Sequence, residues 1–156
     1  MRVERIVSGG QTGVDRAALD VALSRGLPCG GWCPKGRFAE DGVIPACYPL
    51  IETPTPLYEE RTAWNVRDSD GTLVLTWGPP VQGTAYTIGM TRLFKKPCLV
   101  IDLSRDGDVQ CVSGWLRKHH VRTLNVAGPR ATKSPEVYPR AVAFLNALLD
   151  LLENQT

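Results

Sequence analysis

Short apolar runs alternate with longer segments of helical periodicity along most of the chain. A short apolar run predicts a strand, whereas apolar residues that recur roughly every three or four positions predict a helix with one buried face. The predicted strands are residues 3–8, 72–77, 97–102 and 122–127, with a possible short strand at 28–33. The predicted helices are residues 13–25, 57–67, 84–94 and 109–119, followed by a final helix that begins at Ser134 and Pro135.

This alternation of strand and helix, repeated about five times, predicts an α/β fold. We expect a Rossmann-like three-layer α/β/α sandwich around a mainly parallel sheet of about five strands. Residues 73–75 and 98–101 carry few polar side chains, as expected for strands that helices cover on both faces. The length of 156 residues is typical of one domain, so residues 1–156 are predicted to form a single ligand-binding domain.

Composition narrows the classes of partner. Hydrophobic residues make up 43% of the chain and charged residues 22%, which argues against general disorder. The net charge is +2 and the basic residues are scattered along the sequence, so nucleic acid is not favoured as a partner. No apolar stretch approaches the roughly 20 residues that span a bilayer, and no secretory leader is visible, so we expect a cytoplasmic protein without membrane attachment. The five cysteines are expected to be free thiols, and no protein-bound metal is expected.

Three glycine-rich segments each connect a predicted strand to the helix that follows it. In an open α/β sheet, ligands bind beyond the carboxyl ends of the strands. Glycine lets the backbone approach a ligand closely, and a helix N-terminus offers free N–H groups to an anion. An ordinary tight turn is the alternative for each segment, but their joint placement at one sheet edge favours a phosphate-bearing ligand. The candidate ligand-binding residues in these segments are Ser8, Gly9, Gly10, Gln11, Thr12 and Gly13; Trp77, Gly78, Gly83 and Thr84; and Gly128 and Arg130.

Charged and aromatic residues complete the predicted site. Arg130 is expected to neutralise a phosphate, and Trp77 is expected to stack on a planar ring. Residues 34–56 form a long segment rich in proline and glycine, and such long connections are often functional. Lys35 and Arg37 lie in this segment and are further candidates for contact with the ligand.

Four blocks of sequence carry a family resemblance: SGGQTGVDRAALD at 8–20, GWCPKGRFAEDG at 31–42, RTAWNVRDSDGTL at 61–73 and GT at 83–84. Through them the chain resembles the family called putative molybdenum carriers, a circularly permuted YpsA-like branch of the SLOG and lysine-decarboxylase-like Rossmann superfamily. The resemblance implies a Rossmann-like sheet with a pocket for a nucleotide-like ligand. Carriers of this family bind molybdenum cofactor, a phosphorylated pterin dithiolene, and form homo-oligomers. The resemblance further implies a first phosphate-facing turn at Gly9, Gly10, Thr12 and Gly13 and a second one at Gly83 and Thr84.

The second of these turns departs from the enzymes of the superfamily. Those enzymes carry P-G-G-x-G-T-x-x-E, whereas this chain reads GPPVQGTAYT, with Thr87 in the position of the glutamate. The first expectation is therefore a carrier or binding protein for a phosphorylated, nucleotide-like ligand, with molybdenum cofactor or a nucleotide bound.

Two other classes of function stay open. The first is a nucleotide-processing hydrolase similar to the phosphoribohydrolases, with catalytic carboxylates drawn from Asp15, Glu40, Asp41 or Asp68. Asp15, which lies in the first turn of the first helix, is also a candidate ligand-binding residue through contact with a ligand hydroxyl. Stabilisation of the helix dipole is a sufficient alternative role for it. The second class is a nucleic-acid or signalling module, by analogy with the DNA-processing protein DprA of the same superfamily, and it would require a continuous basic surface.

Overall fold

A five-stranded parallel sheet with helices on both faces forms the body of the molecule. The computed structural model describes residues 2–155. Its strands are β1 (Arg5–Val7), β2 (Cys29–Gly30), β3 (Trp32–Cys33), β4 (Phe38–Ala39), β5 (Gly42–Val43), β6 (Ile51–Glu52), β7 (Gly71–Thr76), β8 (Cys98–Asp102) and β9 (Thr123–Ala127). Its helices are α1 (Val14–Ser24), α2 (Tyr58–Arg67), α3 (Gln82–Leu93), α4 (Val109–Lys118) and α5 (Val137–Asn154). The predicted Rossmann-like α/β/α architecture is confirmed.

The main sheet has the strand order β2-β1-β9-β7-β8, and every neighbouring pair is parallel. The last strand in the sequence, β9, therefore lies in the middle of the sheet. If β9 and α5 came before β1 in the chain, the same strands would read 3-2-1-4-5, which is the strand order of the Rossmann fold. The sheet is thus a Rossmann sheet whose first strand has moved to the C-terminal part of the sequence.

The two faces of this sheet differ in chemistry. One face packs against α1, α4 and α5 and holds the main apolar core, to which alternate strand residues such as Ile6, Leu73 and Leu124 contribute. The opposite face lies under α2 and α3 and carries buried polar side chains such as Thr72 and Asn125. Within residues 2–155, the main apolar cluster includes no side chain from α2 or α3. Apolar burial therefore stabilises one face, and the other face is polar enough to form a binding site.

The strand predicted at 28–33 is in fact two strands in different sheets. β2 joins the main sheet, whereas β3 pairs with β6, because Gly31 between them has a φ of 129° that turns the chain. The segment 34–56 also contains a short antiparallel hairpin, in which Phe38 of β4 pairs with Val43 of β5. This segment is therefore built from small paired strands.

Two other predictions were wrong in detail. Ser134 and Pro135 lie in the turn before the final helix, which begins at Val137 and has Pro139 in its first turn, where a missing N–H costs little. The strand at 98–102 was expected to be covered on both faces, but β8 is an edge strand and Val100 is 39% exposed.

Among residues 2–155, no helix is long and apolar enough to cross a bilayer.

The apolar face predicts a large stability effect for a truncation in α5. Leu148 is fully buried in the main core, so Leu148→Ala is expected to lower the free energy of unfolding by about 3 kcal/mol. Leu93 of α3 is 67% exposed, so Leu93→Ala, the matched control, should change it by less than about 0.5 kcal/mol. Urea denaturation with an unchanged m value measures both effects. Equal losses in the two variants would contradict the assignment of the core to this face.

Candidate functional site

A cleft of about 700 Å³ opens between α2, α3 and the carboxyl ends of the central strands. It lies where neighbouring strands lead to opposite faces of the sheet, since β9 continues into α5 on the apolar face and β7 continues into α3 on the polar face. In open α/β sheets this reversal of direction leaves a crevice between the two connections, which is the usual position of a ligand. Its volume falls within the range of about 300–1,000 Å³ that is typical of small-molecule pockets.

The cleft brings together parts of all three glycine-rich segments. The predicted residues on its wall are Gly9, Gln11, Asp15, Gly83, Thr84, Gly128 and Arg130. The predicted residues that lie outside this wall are Ser8, Gly10, Thr12, Gly13, Lys35, Arg37, Trp77 and Gly78. Seven of the fifteen candidate residues therefore line the cleft, and the other eight have other places in the fold.

The first segment uses much of its own hydrogen-bonding capacity. The amide of Gln11 donates to Asp15 Oδ2 at 3.2 Å, and the amide of Val14 donates to the carbonyl of Pro129 at 3.3 Å. The amide of Thr12 donates to the side-chain carbonyl of Gln11 at 3.0 Å. Gly10 has a φ of 82°, and a Cβ there would lie 2.5 Å from a methyl group of Leu50. Glycine at this position is therefore required by backbone conformation and packing.

Glu40 joins this segment to the loop after β9. Its carboxylate accepts hydrogen bonds from the hydroxyl groups of Thr12 and Thr132 and from the amide of Thr132, and Arg130 Nε lies 3.5 Å away. Burial opposes ionisation of Glu40, but the hydrogen bonds from Thr12 and Thr132 outweigh it and hold the pKa of this carboxyl below its usual value. Three loops that are far apart in sequence are thus fixed by one carboxylate.

A buried ion pair forms the inner wall of the cleft. Arg61 is 8% exposed and lies with its Nη1 3.0 Å from the carbonyl of Gly9 and 3.7 Å from Asp15 Oδ2. Its Nε donates to the carbonyl of Tyr58 at 3.4 Å. Burial raises the pKa of Asp15, and the positive charge of Arg61 opposes that rise. The pair leaves this part of the wall close to neutral while it presents both a donor and an acceptor.

The sequence did not single out Tyr58, Arg61, Tyr86 or Asn125, although all of them line the cleft. Asn125 is 3% exposed, and its Nδ2 donates to Thr72 Oγ1 at 3.2 Å, which leaves its carbonyl oxygen without a partner among residues 2–155. An asparagine inside an otherwise apolar strand was a usable signal for this site. No comparable sequence feature indicated Tyr58 or Tyr86, because they reach the cleft only through the way α2 and α3 pack.

The N-terminus of α3 forms the opposite wall. Its cap residue, Val81, has no side-chain hydrogen bond to the first turn, and a Cβ built on Gly83 would meet no atom within 4 Å. The first amides of an uncapped helix have no intrahelical acceptor and carry partial positive charge. Lys133 reaches the same cleft, and its ammonium group has no ion-pair partner among the described residues. This wall is therefore suited to an anion.

Several predicted residues support loops instead. The guanidinium of Arg37 donates to the carbonyls of Ile44, Pro45, Tyr48 and Leu50, and so holds the 34–56 segment together. Trp77 packs against the main core with Arg140 5.4 Å from its ring. The amide of Gly78 donates to Asp102 at 2.8 Å, and the amide of Lys35 donates to Thr55 at 3.0 Å.

Of the four carboxylates considered for catalysis, Asp15 lies on the cleft wall. Asp41 is paired with Arg16 and Asp68 with Arg67, and both of these pairs lie outside the cleft. The five cysteines are free thiols. Among residues 2–155, no group of three or more His, Cys, Asp or Glu side chains is arranged to hold a metal ion.

Comparison with known proteins agrees with this geometry. The model of the circularly permutated YpsA SLOG family matches residues 6–149. The crystal structure of the putative molybdenum carrier protein from Syntrophus aciditrophicus is similar over 94% of this chain and 95% of the other, with a TM-score of 0.91 and 47% sequence identity. No curated protein gives a significant match. The family resemblance predicted from the sequence blocks is confirmed.

The loop junction at Glu40 predicts a pH-dependent stability effect. Glu40→Gln is expected to lower the free energy of unfolding at neutral pH by about 2 kcal/mol, because it removes charge-assisted hydrogen bonds. The folded-state pKa of Glu40 is lowered, so its stabilisation is complete above the ordinary pKa of 4.5 and is lost as pH falls through the folded-state pKa. The gap between wild type and variant should therefore shrink below pH 4.5 in urea titrations. A gap that stays constant on acidification, or an equal loss in the exposed control Asp106→Asn, would argue against this role.

Proposed function

Because the chain belongs to the circularly permuted YpsA branch of the SLOG family, we propose that it is a binding protein for a phosphorylated, nucleotide-like small molecule. One observation carries the proposal: the uncapped N-terminus of α3 and two cationic side chains, Arg130 and Lys133, border the same cleft at the topological switch point. The ligand lies in this cleft, with its phosphate at the rim and its ring near the sheet.

The phosphate end lies between α3 and the loop after β9. β9 occupies the position that the first strand has in the sheet of a Rossmann fold. The loop after β9 therefore corresponds to the phosphate-binding loop of that fold, which follows the first strand. Backbone amides near Gly83 supply hydrogen bonds, and Arg130 and Lys133 supply positive charge. The phosphate is therefore bound mainly by the second and third segments. The first segment has fewer amides to offer.

The ring end lies over Asn125 and between α2 and α3. Tyr58 and Tyr86 reach the cleft from these two helices and offer aromatic faces for stacking. The free carbonyl of Asn125 and the nearly neutral pair of Arg61 and Asp15 suit the mixed donors and acceptors of a nitrogen heterocycle better than a second phosphate.

Molybdenum cofactor and a nucleotide both have this combination of ring and phosphate. The similar Syntrophus aciditrophicus protein is called a putative molybdenum carrier, and the family resemblance implies molybdenum cofactor as the form of the ligand. Molybdenum cofactor is therefore the first candidate, and this protein would carry it as cargo. Residues 8–13 and Glu40 act as supports for the site, and the homo-oligomeric state expected from the resemblance belongs to the same proposal.

A hydrolase acting on nucleotides is the second candidate, and the position of Asp15 favours it. This carboxyl is buried on the cleft wall, and burial raises its pKa, as is common for a group that exchanges protons. Thr87, which replaces the glutamate of the enzymes, donates its hydroxyl to the carbonyl of Gly83 at 3.2 Å. This hydroxyl is engaged within the helix and offers no substitute for a catalytic carboxylate.

Charge reversal at Gly83 tests the binding proposal. Gly83→Glu places a carboxylate in open space at the start of α3, where acidic residues suit the helix dipole, so stability should not fall. Binding of pyrophosphate and of nucleoside monophosphates, measured by isothermal titration calorimetry, should weaken by about tenfold or more. Gly89→Glu, in open space further along the same helix, is the matched control and should change the affinity by less than about twofold. Absence of binding by the wild-type protein to any of these ligands or to molybdenum cofactor would refute the proposal.

A turnover assay separates the two candidates. A binding protein should release no free base or phosphate from nucleoside monophosphates during prolonged incubation. Asp15→Asn should then leave the affinity for pyrophosphate within about threefold of wild type, because the phosphate end lies at the rim. Steady product release by the wild-type protein that falls about a hundredfold or more in Asp15→Asn would instead establish the hydrolase.

A further inference from the structure

A basic surface crosses the amino edge of the main sheet, at the end opposite the cleft. In a parallel sheet, the segments that lead into the strands meet at one edge. The segments before β1, β7, β8 and β9 are residues 2–5, 67–70, 92–97 and 117–122. We call their surface the basic strip. It contains nine of the 18 Lys and Arg residues and three of the 16 Asp and Glu residues of the chain. The nine cations are Arg2, Arg5, Arg67, Arg92, Lys95, Lys96, Arg117, Lys118 and Arg122.

Hydrogen bonds show that these segments form one continuous surface. The carbonyl of Arg122, just before β9, accepts from the amide of Arg5 in β1 at 3.2 Å. The carboxylate of Asp70, before β7, accepts from the amides of Arg122 and Thr123 at 3.0 and 2.8 Å. Lys96, before β8, donates its ammonium group to the carbonyl of Ser69 at 2.8 Å. The strip therefore runs across four neighbouring strands, over a width of about 15 Å.

Most of the cations on the strip have no ion-pair partner within residues 2–155. Among the described residues, Arg67 is the one cation of the strip in an ion pair, with Asp68. The carboxylate of Asp70 is occupied by backbone amides, and the side chains of Arg5, Arg92, Lys95 and Arg122 are exposed without a salt bridge. The strip thus concentrates uncompensated charge in a chain whose net charge is +2.

Helix dipoles do not account for this excess. All five helices end at this edge, and each C-terminus carries about half a negative charge, so together they balance between two and three of the cations. At one flank Arg25 is already held by Asp150 and Glu153. Six positive charges remain after Glu4, Asp68 and Asp70 are subtracted from the strip. After the charge of the helix C-termini is also subtracted, more than half of this excess positive charge remains and can attract a polyanion.

We propose that the basic strip binds nucleic acid through the phosphodiester backbone, without base readout. Six of the nine cations are arginines, whose planar guanidinium groups suit phosphate oxygens. A lipid surface fits less well, because Leu93 is the one large apolar side chain exposed in these segments and insertion needs an apolar face. The scattered basic residues of the sequence are therefore gathered by the parallel topology into a surface of the kind that a nucleic-acid module requires.

Fluorescence anisotropy with a labelled, mixed-sequence single-stranded DNA tests the proposal. The wild-type protein should bind, and the logarithm of its affinity should fall with the logarithm of salt concentration with a slope of about −2, as expected for about three phosphate contacts. Arg92→Glu and Arg122→Glu, at two places along the strip, should each weaken binding by about tenfold. Both side chains are exposed, so the fold should persist.

Arg105→Glu is the matched control, because its side chain is 86% exposed at the opposite end of β8 and the change in net charge is the same. It should weaken binding by less than about twofold, since charges beyond about 8–10 Å are screened. No binding at low salt, equal losses in all three variants, or binding to phosphatidylserine vesicles with none to DNA would each overturn the proposal. None of these outcomes bears on the cleft.

Discussion

The insertion of β9 between β1 and β7 is the constraint on which the other features of the molecule depend. β9 is the last strand in the sequence of the described residues, and both of its neighbours in the sheet, β1 and β7, come much earlier in the sequence. The parallel sheet therefore closes only when contacts more than a hundred residues apart have formed. Ala131 and Thr12, for example, are joined by a hydrogen bond of 3.1 Å across 119 positions. Such long-range pairing is costly in chain entropy, and the buried stripe of α5 offsets that cost by packing on α1 and the sheet.

The same insertion explains why the cleft is polar. Among residues 2–155, the main apolar cluster lies on the face that β9 shares with α1, α4 and α5. The opposite face does not need to contribute a second core, so it can keep Asn125 and Thr72 buried as a hydrogen-bonded pair and leave room between α2 and α3. The structure thus separates the part of the molecule that stabilises the fold from the part that is available for a ligand. The loop junction at Glu40 connects the two, since it fixes the ends of strands that belong to both.

Local signals in the sequence were enough for most of the fold. The stripe of α1 and the uninterrupted apolar run of β7 are correct, since helical periodicity and double burial are properties of the segments themselves. The three glycine-rich segments also meet at one edge of the sheet, as expected, and each contributes residues to the wall of the cleft. Arg61 could not be found in this way, because the sequence block that begins with it does not indicate which of its side chains enters the cleft. Arg37 and Trp77 lie outside the wall of the cleft, and the sequence does not specify the packing that brings them to their partners.

The distribution of basic residues over the two edges of the sheet follows from the parallel topology and is not visible in the sequence alone. The basic residues are spread along the chain, yet half of them reach the amino edge of the sheet. At the cleft, by contrast, Arg61 lies close to Asp15 and Arg130 lies close to Glu40. β7 has six residues, so the two edges are about 20 Å apart, which is roughly twice the screening length in physiological salt. A polyanion bound on the basic strip, as proposed, would therefore not strongly repel a small anion bound in the cleft. Any coupling between them has to pass through movement of the strands themselves, and the packed apolar face resists such movement.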